Sequence, residues 1–225
     1  MGFFPGTLGG RMKQIGIIVL FATVLSNVWA KGAKSPIVID WSSPQGILPA
    51  RWESFRSGTR EWTTQTFSSV KKDGSALIST LPGDYQSFCP ELRNASNSER
   101  QNFYVYLLSS IAQLESNFNP NLKYRESFRD DQGRVVYSRG LLQISYQSSK
   151  PYGCGFTSES DLHSPTKNLR CGVKILDYWM RRDRRIAGRV NGAWRGGARY
   201  WAVLRSEANS AKIRSWTRDY CKRIL

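Results

Sequence analysis

The chain has 225 residues, which is room for one ordinary domain and an extension but not for two full domains. A hydrophobic share of 40% is sufficient for a globular core and excludes a wholly disordered chain. The formal net charge of +16 implies an anionic partner: a cell wall, a lipid headgroup surface or nucleic acid.

Residues 1–30 have the layout of a secretory signal peptide. Arg11 and Lys13 precede an apolar run over residues 15–25, and Ala30 provides a small residue at the cleavage position. The run is short for a membrane span, so an uncleaved anchor is only the alternative. Cleavage predicts a chain that is periplasmic or secreted, without a stable membrane anchor. Its charge is then +14, because Arg11 and Lys13 are lost and no acid is.

Residues 31–88 predict an irregular N-terminal arm or small appendage, because they are rich in Ser, Thr, Pro and Gly. Residues 63–70 and 76–81 have weak strand character around a turn. Three tryptophans lie ten or eleven residues apart, at Trp41, Trp52 and Trp62. We expect them to pack this segment onto the main domain; stacking on sugar rings is the alternative.

Four cysteines follow the predicted cleavage site, and in an exported chain they predict two disulfides. We expect Cys154 to pair with Cys171, which closes a short loop and contributes about 3 kcal/mol through chain entropy. Cys89 then pairs with Cys221 and ties the start of one domain to its end. A zinc site formed by Cys154, His163 and Cys171 is the alternative, but the spacing fits no common zinc pattern. No metal and no cofactor is expected.

From Cys89 onward the pattern becomes helical. Ser98 and Gln101 have the spacing of a capping box. One apolar stripe follows at helical spacing, consisting of Phe103, Leu107, Ile111, Leu114 and Phe118. The dipeptide at residues 119–120 ends this helix, and residues 121–162 predict loops with a short element near residues 140–145.

Three further helical stretches complete a mainly α domain over residues 89–225. Ser164 and Pro165 begin the first as cap and first-turn proline. Its buried face is predicted to consist of Leu169, Val173, Leu176 and Met180. The second stretch covers residues 196–208. The last one carries Ile213, Trp216, Tyr220 and Ile224 at helical spacing.

Glu115 lies at the edge of the apolar stripe, four residues after Ile111 and three before Phe118. A carboxylate held against apolar neighbours loses hydration, and its pKa rises. A glycosidase general acid needs this property, because it must hold a proton near neutral pH. The alternative is a glutamate at a helix end that pairs with an arginine.

Three segments occur in a characteristic order: ESNFNP at residues 115–120, SRGLLQI at 138–144 and DLHSP at 161–165. Together they resemble the soluble-type lytic transglycosylases and the related goose-type lysozymes over roughly residues 89–221. The resemblance implies a lysozyme-like fold with Glu115 as the catalytic acid. It also implies that the Gly-Leu-x-Gln segment lines the sugar cleft and that the third segment frames the helix behind it.

Side chains suited to sugars surround these segments. Ser138 and Gln143 can exchange hydrogen bonds with hydroxyl and acetamido groups, and Gly140 allows the backbone to approach a substrate closely. Four tyrosines are candidates for ring stacking or hydroxyl contacts: Tyr124, Tyr137, Tyr146 and Tyr200. Half-buried packing is the alternative for each tyrosine.

The chain departs from the family pattern at the expected second carboxylate. Ser145 stands where goose-type lysozymes tend to carry an aspartate, whereas ordinary glycoside hydrolysis uses two carboxylates. Three acids on the intervening loop are interpreted as a solvated charge run, with substitution for the second carboxylate as the alternative: Glu126, Asp130 and Asp131. One acid suffices for a lytic transglycosylase, because the muramic 6-hydroxyl attacks and leaves a 1,6-anhydro end. A further departure is at residues 196–201, where Tyr200 replaces part of the family's Tyr-Asn-Ala-Gly-like segment.

The sequence therefore predicts a monomeric, exported glycosidase. It would cleave peptidoglycan between N-acetylmuramic acid and (N-acetyl)glucosamine, as a lytic transglycosylase or a lysozyme. The partners are the peptidoglycan polymer and the anionic wall surface, not nucleic acid. Arginine-rich surroundings favour a modified substrate such as N-deacetylated glycan. The alternative function is that of a catalytically silent, cationic cell-wall-binding protein.

Overall fold

The computed structural model describes residues 46–224, with side chains to residue 223. The predicted signal peptide, its cleavage site and Trp41 lie outside the described residues. Within residues 46–224, no helix is long and apolar enough to cross a membrane.

The described chain is mostly helical. Its α-helices are α1 (Arg60–Asp73), α2 (Ser75–Ser79), α3 (Tyr85–Phe88), α4 (Asn97–Ser116), α5 (Tyr146–Ser149), α6 (Pro165–Asp183) and α7 (Glu207–Ile224). Its strands are β1 (Lys123–Arg129), β2 (Val135–Arg139), β3 (Ile144–Ser145), β4 (Ala187–Val190) and β5 (Ala193–Gly196). Short 3-10 turns connect several of these elements. The predicted mainly α, lysozyme-like fold is confirmed.

α4 is the central helix, and every residue from 101 to 112 is buried. Its capping box consists of Ser96 and Glu99, two residues before the predicted pair. The Ser96 hydroxyl accepts from the Glu99 backbone N–H, and the Glu99 carboxylate accepts from the Ser96 N–H at 2.6 Å. The helix ends because Asn117 adopts the left-handed conformation, with φ of 48°. This end places Glu115 in the last turn.

The described part of the predicted appendage is helical, so the predicted strands at residues 63–70 and 76–81 are wrong. Thr63, Thr66, Phe67 and Val70 are the buried positions of α1, at the i, i+3, i+4, i+7 spacing of a helix. α1 packs against α6 and α4. Trp52 is fully buried and donates to the Thr63 hydroxyl at 2.8 Å, so it packs, as expected, and does not stack on sugar. The domain boundaries at residues 30 and 88 stay predictions.

Two disulfides staple this core as predicted, joining Cys89 to Cys221 and Cys154 to Cys171. The second bond removes both thiolates that the alternative zinc site requires. α6 begins at Pro165 after Ser164, and its predicted apolar face is buried. α7 buries Ile213 and Tyr220, also as predicted.

Two small antiparallel sheets lie in segments predicted as loops, and short 3-10 turns at residues 197–199 and 202–204 replace most of one predicted helix. β1, β2 and β3 form one sheet, with Tyr124 opposite Ser138 and Ser138 opposite Ser145. β4 and β5 form a hairpin that runs through residue 196. Gly196 has φ of 59°, and a Cβ there would lie 2.3 Å from the Arg185 carbonyl oxygen. A continuous helix over 196–208 is therefore wrong, because this position needs glycine in a non-helical conformation.

Candidate active site

A cleft of about 550 Å³ opens at the C-terminal end of α4. Its lining residues are Glu115, Leu122, Tyr124, Glu126, Phe128, Ser138, Gln143, Ser145, Ser148, Arg199, Tyr200, Trp201, Ala202 and Arg205. Five of the predicted site residues are among them: Glu115, Tyr124, Ser138, Gln143 and Tyr200. The fold therefore brings together side chains that lie up to 85 positions apart in the chain.

Three predicted site residues do not line this cleft. Tyr137 is half-buried, and its ring lies 4.1 Å from the Lys123 ammonium nitrogen. Tyr146 packs half-buried against the core, with Lys150 at 5.6 Å from its ring centroid. Gly140 is fully enclosed within the protein. For the two tyrosines the packing alternative describes the observed contacts.

The turn at residues 140–143 forms one side of the cleft, and two side chains hold its carbonyl groups. Ser116 donates to the Leu141 carbonyl oxygen at 2.8 Å, which ties the end of α4 to the turn. The Trp201 indole N–H donates to the Leu142 carbonyl oxygen at 3.0 Å. Buried carbonyl groups need such partners, since no water reaches them. Ser116, the residue after Glu115, therefore stabilises the turn that forms this side of the cleft.

Asn168 of α6 supports the same turn from behind. Its amide oxygen accepts from the Leu142 backbone N–H at 2.9 Å. Its amide nitrogen donates to the carbonyl oxygens of Arg139 at 3.1 Å and Leu162 at 2.9 Å. This one buried side chain thus joins the second and third sequence motifs. The side chain of His163 forms no hydrogen bond with a cleft residue. Its Nδ1 is hydrogen-bonded to the Pro120 carbonyl oxygen at 2.9 Å.

Gly140 is required by space and by backbone conformation. Its φ is 75°, and an added Cβ would lie 2.1 Å from the Leu162 carbonyl oxygen and 2.5 Å from the Asn168 amide nitrogen. The predicted role of this glycine, backbone approach to the substrate, is replaced by close packing of the turn on α6 and its preceding segment.

Replacement of Gly140 by alanine is expected to lower the free energy of unfolding by about 3 kcal/mol, since it adds a backbone clash to an unfavourable φ. Gly133→Ala is the matched control: its φ is 73°, but nothing lies within 4 Å of its added Cβ. The control should lose only about 1 kcal/mol. Urea unfolding followed by circular dichroism measures both; equal losses would contradict the clash.

The Glu115 side chain is half-buried and lines the cleft. The pKa of Glu115 is raised to about 7, chiefly by burial and to a smaller extent by the negative charge of Glu126. The backbone N–H of Val203 and the charge of Arg205 oppose this shift. A group with this pKa holds a proton in a large share of molecules at neutral pH, which a general acid requires.

Glu126, for which the sequence favours a solvated position over the role of second carboxylate, lines the cleft. It lies on β1 between Tyr124 and Phe128, and all three line the cleft because alternate residues of a strand share one face. The Ser138 hydroxyl donates a hydrogen bond to its carboxylate. The solvated interpretation fits Asp131, which is exposed, whereas Asp130 is held in the hairpin turn by the backbone N–H and the side chain of Arg134. The i, i+2, i+4 alternation was the available signal for Glu126.

Several other polar side chains of the cleft form hydrogen bonds or ion pairs with residues of the protein itself. Tyr200 and Ser148 share a hydrogen bond of 2.6 Å, and burial raises the pKa of the Tyr200 hydroxyl, which stays protonated. Ser145, in the place of the expected aspartate, caps α5 by accepting from the Ser148 N–H at 3.1 Å. Arg199 pairs with Asp183 at 2.7 Å.

No metal centre is indicated by these residues. Within the described chain, the one group of acid and cysteine side chains close enough to share an ion consists of Cys89, Glu91 and Cys221. The two cysteines of that group form a disulfide, so neither offers a thiolate. The titratable side chains that line the cleft include the two carboxyl groups of Glu115 and Glu126.

The raised pKa of Glu115 predicts a pH-dependent stability. Between its ordinary pKa of 4.5 and about 7, the folded chain binds more protons at this group than the unfolded chain, so stability falls as pH rises through this window. At pH 8, Glu115→Gln should therefore raise the free energy of unfolding, by up to about 3 kcal/mol. The gain should shrink as pH approaches 4.5. Urea unfolding of both proteins at several pH values tests this; an unchanged gap between their stabilities would contradict it.

The chain is similar to a known protein family and to several solved structures. Residues 94–214 match the family model described as "Transglycosylase SLT domain". A solved structure titled "Bd0314 DslA wild-type form 2" shares 45% sequence identity with a TM-score of 0.73, over 75% of this chain and 94% of that one. A search of curated proteins finds no significant match.

Two further similar structures are glutamate-to-glutamine mutants of Bd0314 DslA. One has 45% identity and a TM-score of 0.73, and the other 43% and 0.71; each covers 75% of this chain and 93% of the other. The family model spans more than half of the sequence and includes the cleft from Glu115 to Arg205. The chain therefore belongs to the transglycosylase SLT domain family.

Proposed function

We propose that this protein is an exported glycosidase that cleaves peptidoglycan strands between N-acetylmuramic acid and (N-acetyl)glucosamine, with Glu115 as its general acid. Membership of the SLT family makes peptidoglycan the substrate polymer and an extracytoplasmic location the expected one. The observation that carries the catalytic assignment is the half-buried carboxyl group of Glu115, with a pKa of about 7, in the lining of the cleft. In its protonated form it would donate to the glycosidic oxygen as the bond breaks.

The cleft offers the contacts that a pyranose strand requires. Tyr124 and Phe128 present exposed rings, which suit the apolar faces of sugars. Gln143 lies in the cleft wall, where its amide nitrogen bonds the Gly140 carbonyl oxygen at 2.8 Å and leaves its amide oxygen available to accept from a sugar. Ser138 and Tyr200 supply hydroxyl groups. The proposed substrate-binding residues are therefore Tyr124, Phe128, Gln143, Ser138 and Tyr200.

Glu126 is the proposed second carboxylate. It lines the same cleft as Glu115, and its charge influences the pKa of Glu115. The two mutated glutamates of Bd0314 DslA lie eleven positions apart in that protein, and Glu115 and Glu126 are also eleven positions apart. A base at Glu126 would activate water for hydrolysis, or the muramic 6-hydroxyl for an anhydro product. With two carboxylates available, hydrolysis no longer lacks its base, and we propose the lysozyme reaction.

The proposal includes a preference for N-deacetylated glycan. Loss of the acetyl group leaves a cationic amine, and the carboxylate of Glu126 is an acceptor in the cleft for such a group. Of the two arginines in the cleft wall, Arg199 is already paired with Asp183, which reduces its repulsion of a bound amine. The surplus of positive charge over the whole chain would hold the enzyme to anionic wall polymers.

Mass spectrometry of the products from purified sacculi tests this function. The protein without residues 1–30 should release soluble fragments with reducing ends, and Glu115→Gln should release none. N-deacetylated sacculi, digested in parallel, should yield fragments faster than fully acetylated ones. Anhydro ends would assign the lytic transglycosylase reaction instead. Binding to sacculi with no soluble product from either preparation would overturn the enzyme and support a wall-binding protein.

A further inference from the structure

A second groove, of about 280 Å³, lies apart from the residues of the cleft. One face of α6 forms its wall through Lys174, Asp177, Tyr178 and Arg181, which follow helical spacing. Asp73 at the end of α1 and the turn at residues 151–153 complete the lining. We infer that this groove is a second sugar-binding site, which holds a pyranose of the glycan strand against the ring of Tyr178.

The groove presents an exposed aromatic ring, which is uncommon in this protein. Within the described residues, the exposed large hydrophobic side chains are Phe55, Tyr124, Phe128 and Tyr178. Two of them line the cleft, and the ring of Phe55 packs at a tilt against Phe118, with 5.6 Å between the ring centroids. Tyr178 is 41% exposed and lines the second groove. An apolar ring held open to solvent is the feature on which a sugar face can stack.

The groove is lined by two carboxylates and two cationic side chains, and this equal number decides which kind of ligand it favours. Asp73 pairs with Arg170 at 2.8 Å, and Asp177 pairs with Arg181 at 2.8 Å. Lys174 donates to the Gly153 carbonyl oxygen at 2.6 Å. An anion would meet the two carboxylates of the lining, and a cation would meet Lys174 and Arg181. A neutral ligand with many hydroxyl groups can donate to the carboxylates and accept from the cations at once. A pyranose ring has this chemistry and also an apolar face.

The ring of Tyr178 is held in place by its neighbours. Its centroid lies 5.3 Å from that of Tyr152 and 4.9 Å from that of Trp179, in edge-to-face geometry. The Trp179 indole N–H donates to the Tyr152 hydroxyl at 3.1 Å. A ring fixed in this way loses little side-chain entropy when a ligand binds.

The same cluster joins the groove to the cleft. The Tyr152 ring lies 5.8 Å from Tyr200, which lines the cleft. The two sites therefore share a wall of aromatic rings, so a polymer held in the groove stays beside the cleft. Two linked contacts with one polymer raise the effective concentration of the second contact. The groove would thus matter for intact sacculi and much less for short fragments. This inference rests on the proposed glycan substrate.

Binding stoichiometry tests the inference without relying on cleavage. The chain carrying Glu115→Gln, to prevent turnover, is titrated with tri-N-acetylchitotriose in a calorimeter. We expect two sites, of which Tyr178→Ala removes one or weakens it about fivefold. Phe55→Ala is the matched control, because Phe55 is an exposed ring that lines neither site, and it should keep both. Tyr178→Gln is a second replacement, and thermal unfolding verifies that each variant folds.

Sacculi provide the second readout. In the active chain, Tyr178→Ala should slow the release of fragments from intact sacculi, whereas turnover of short soluble glycan fragments stays at the level of Phe55→Ala. Unchanged titrations for both Tyr178 variants would overturn the groove site, as would binding of a free stem tetrapeptide there in place of the sugar. Tyr178-dependent sugar binding in a chain that cuts no sacculi would leave the groove standing and reject the proposed function alone.

Discussion

Replacement of Glu115 by glutamine is expected to lower the rate of glycan cleavage by about 10³-fold, within the range that loss of a general acid–base group produces. Glutamine keeps the size of the side chain and its acceptor oxygen, but it cannot transfer a proton to the leaving oxygen. Because burial holds the pKa of Glu115 at about 7, wild-type activity should also fall as pH rises through this value. Fragment release from sacculi between pH 5 and 9 measures both effects.

The control for this variant is Asp131→Asn, which removes an equal charge from an exposed position outside the cleft. It should retain the wild-type rate and the wild-type pH profile. Binding of Glu115→Gln to sacculi should remain, since the cationic surface and the cleft walls are unchanged. A Glu115→Gln protein that still releases fragments at the wild-type rate would reject Glu115 as the acid.

Replacement of Glu126 by glutamine is expected to have two effects. Cleavage should slow by about 10²-fold if the carboxylate acts as the base. The alkaline limb of the remaining activity should also move to lower pH. The sign follows from the charge: Glu126 raises the pKa of Glu115, so its removal lowers that pKa and Glu115 loses its proton at lower pH. A pH–rate profile of the variant measures the shift.

Asp131→Asn again serves as the matched control, because it belongs to the same hairpin and changes the net charge equally. It should leave the alkaline limb where it is. If both variants shift the limb alike, the effect comes from total charge and not from the neighbouring carboxylate. A Glu126→Gln protein with the wild-type rate would show that the second carboxylate is dispensable. That result would favour the lytic transglycosylase reaction, which needs a single acid.

Elements set by local pattern could be predicted from the sequence. The apolar stripe of α4, the Ser164–Pro165 start of α6 and the apolar spacing of α7 each depend on residues within a few turns of one another. Both disulfide pairs followed from loop length and position. The strand predicted at residues 63–70 was wrong, because this short run of β-branched and polar residues has strand-type composition but helical spacing.

Glu126 shows why the site could be predicted only in part. Its alternation with Tyr124 and Phe128 places the three residues on one face of a strand, but the sequence does not show whether that face lines the cleft. Pairing of β1 with β2 brings its carboxylate to the hydroxyl of Ser138, twelve residues later. The register of that hairpin, and therefore the face on which Glu126 lies, depends on contacts that a linear pattern does not contain.

Gly140 is a residue whose presence the sequence shows but whose structural role depends on tertiary contacts. Its presence in the Gly-Leu-x-Gln segment was a sequence feature, but its reason lies 22 residues later in the Leu162 carbonyl oxygen and in Asn168 beyond it. A glycine can serve close substrate approach or close packing, and only the neighbours decide which.

By itself, the sequence determined the helical class, the cysteine pairs and the acid at the edge of an apolar stripe, because each depends on spacing along the chain. The tertiary structure alone decided which side chains share the cleft, how far burial raises the pKa of Glu115 and where a second aromatic groove lies. These properties arise where distant segments meet and exclude water, and the free energies of burial and charge are set by those neighbours and not by position in the sequence.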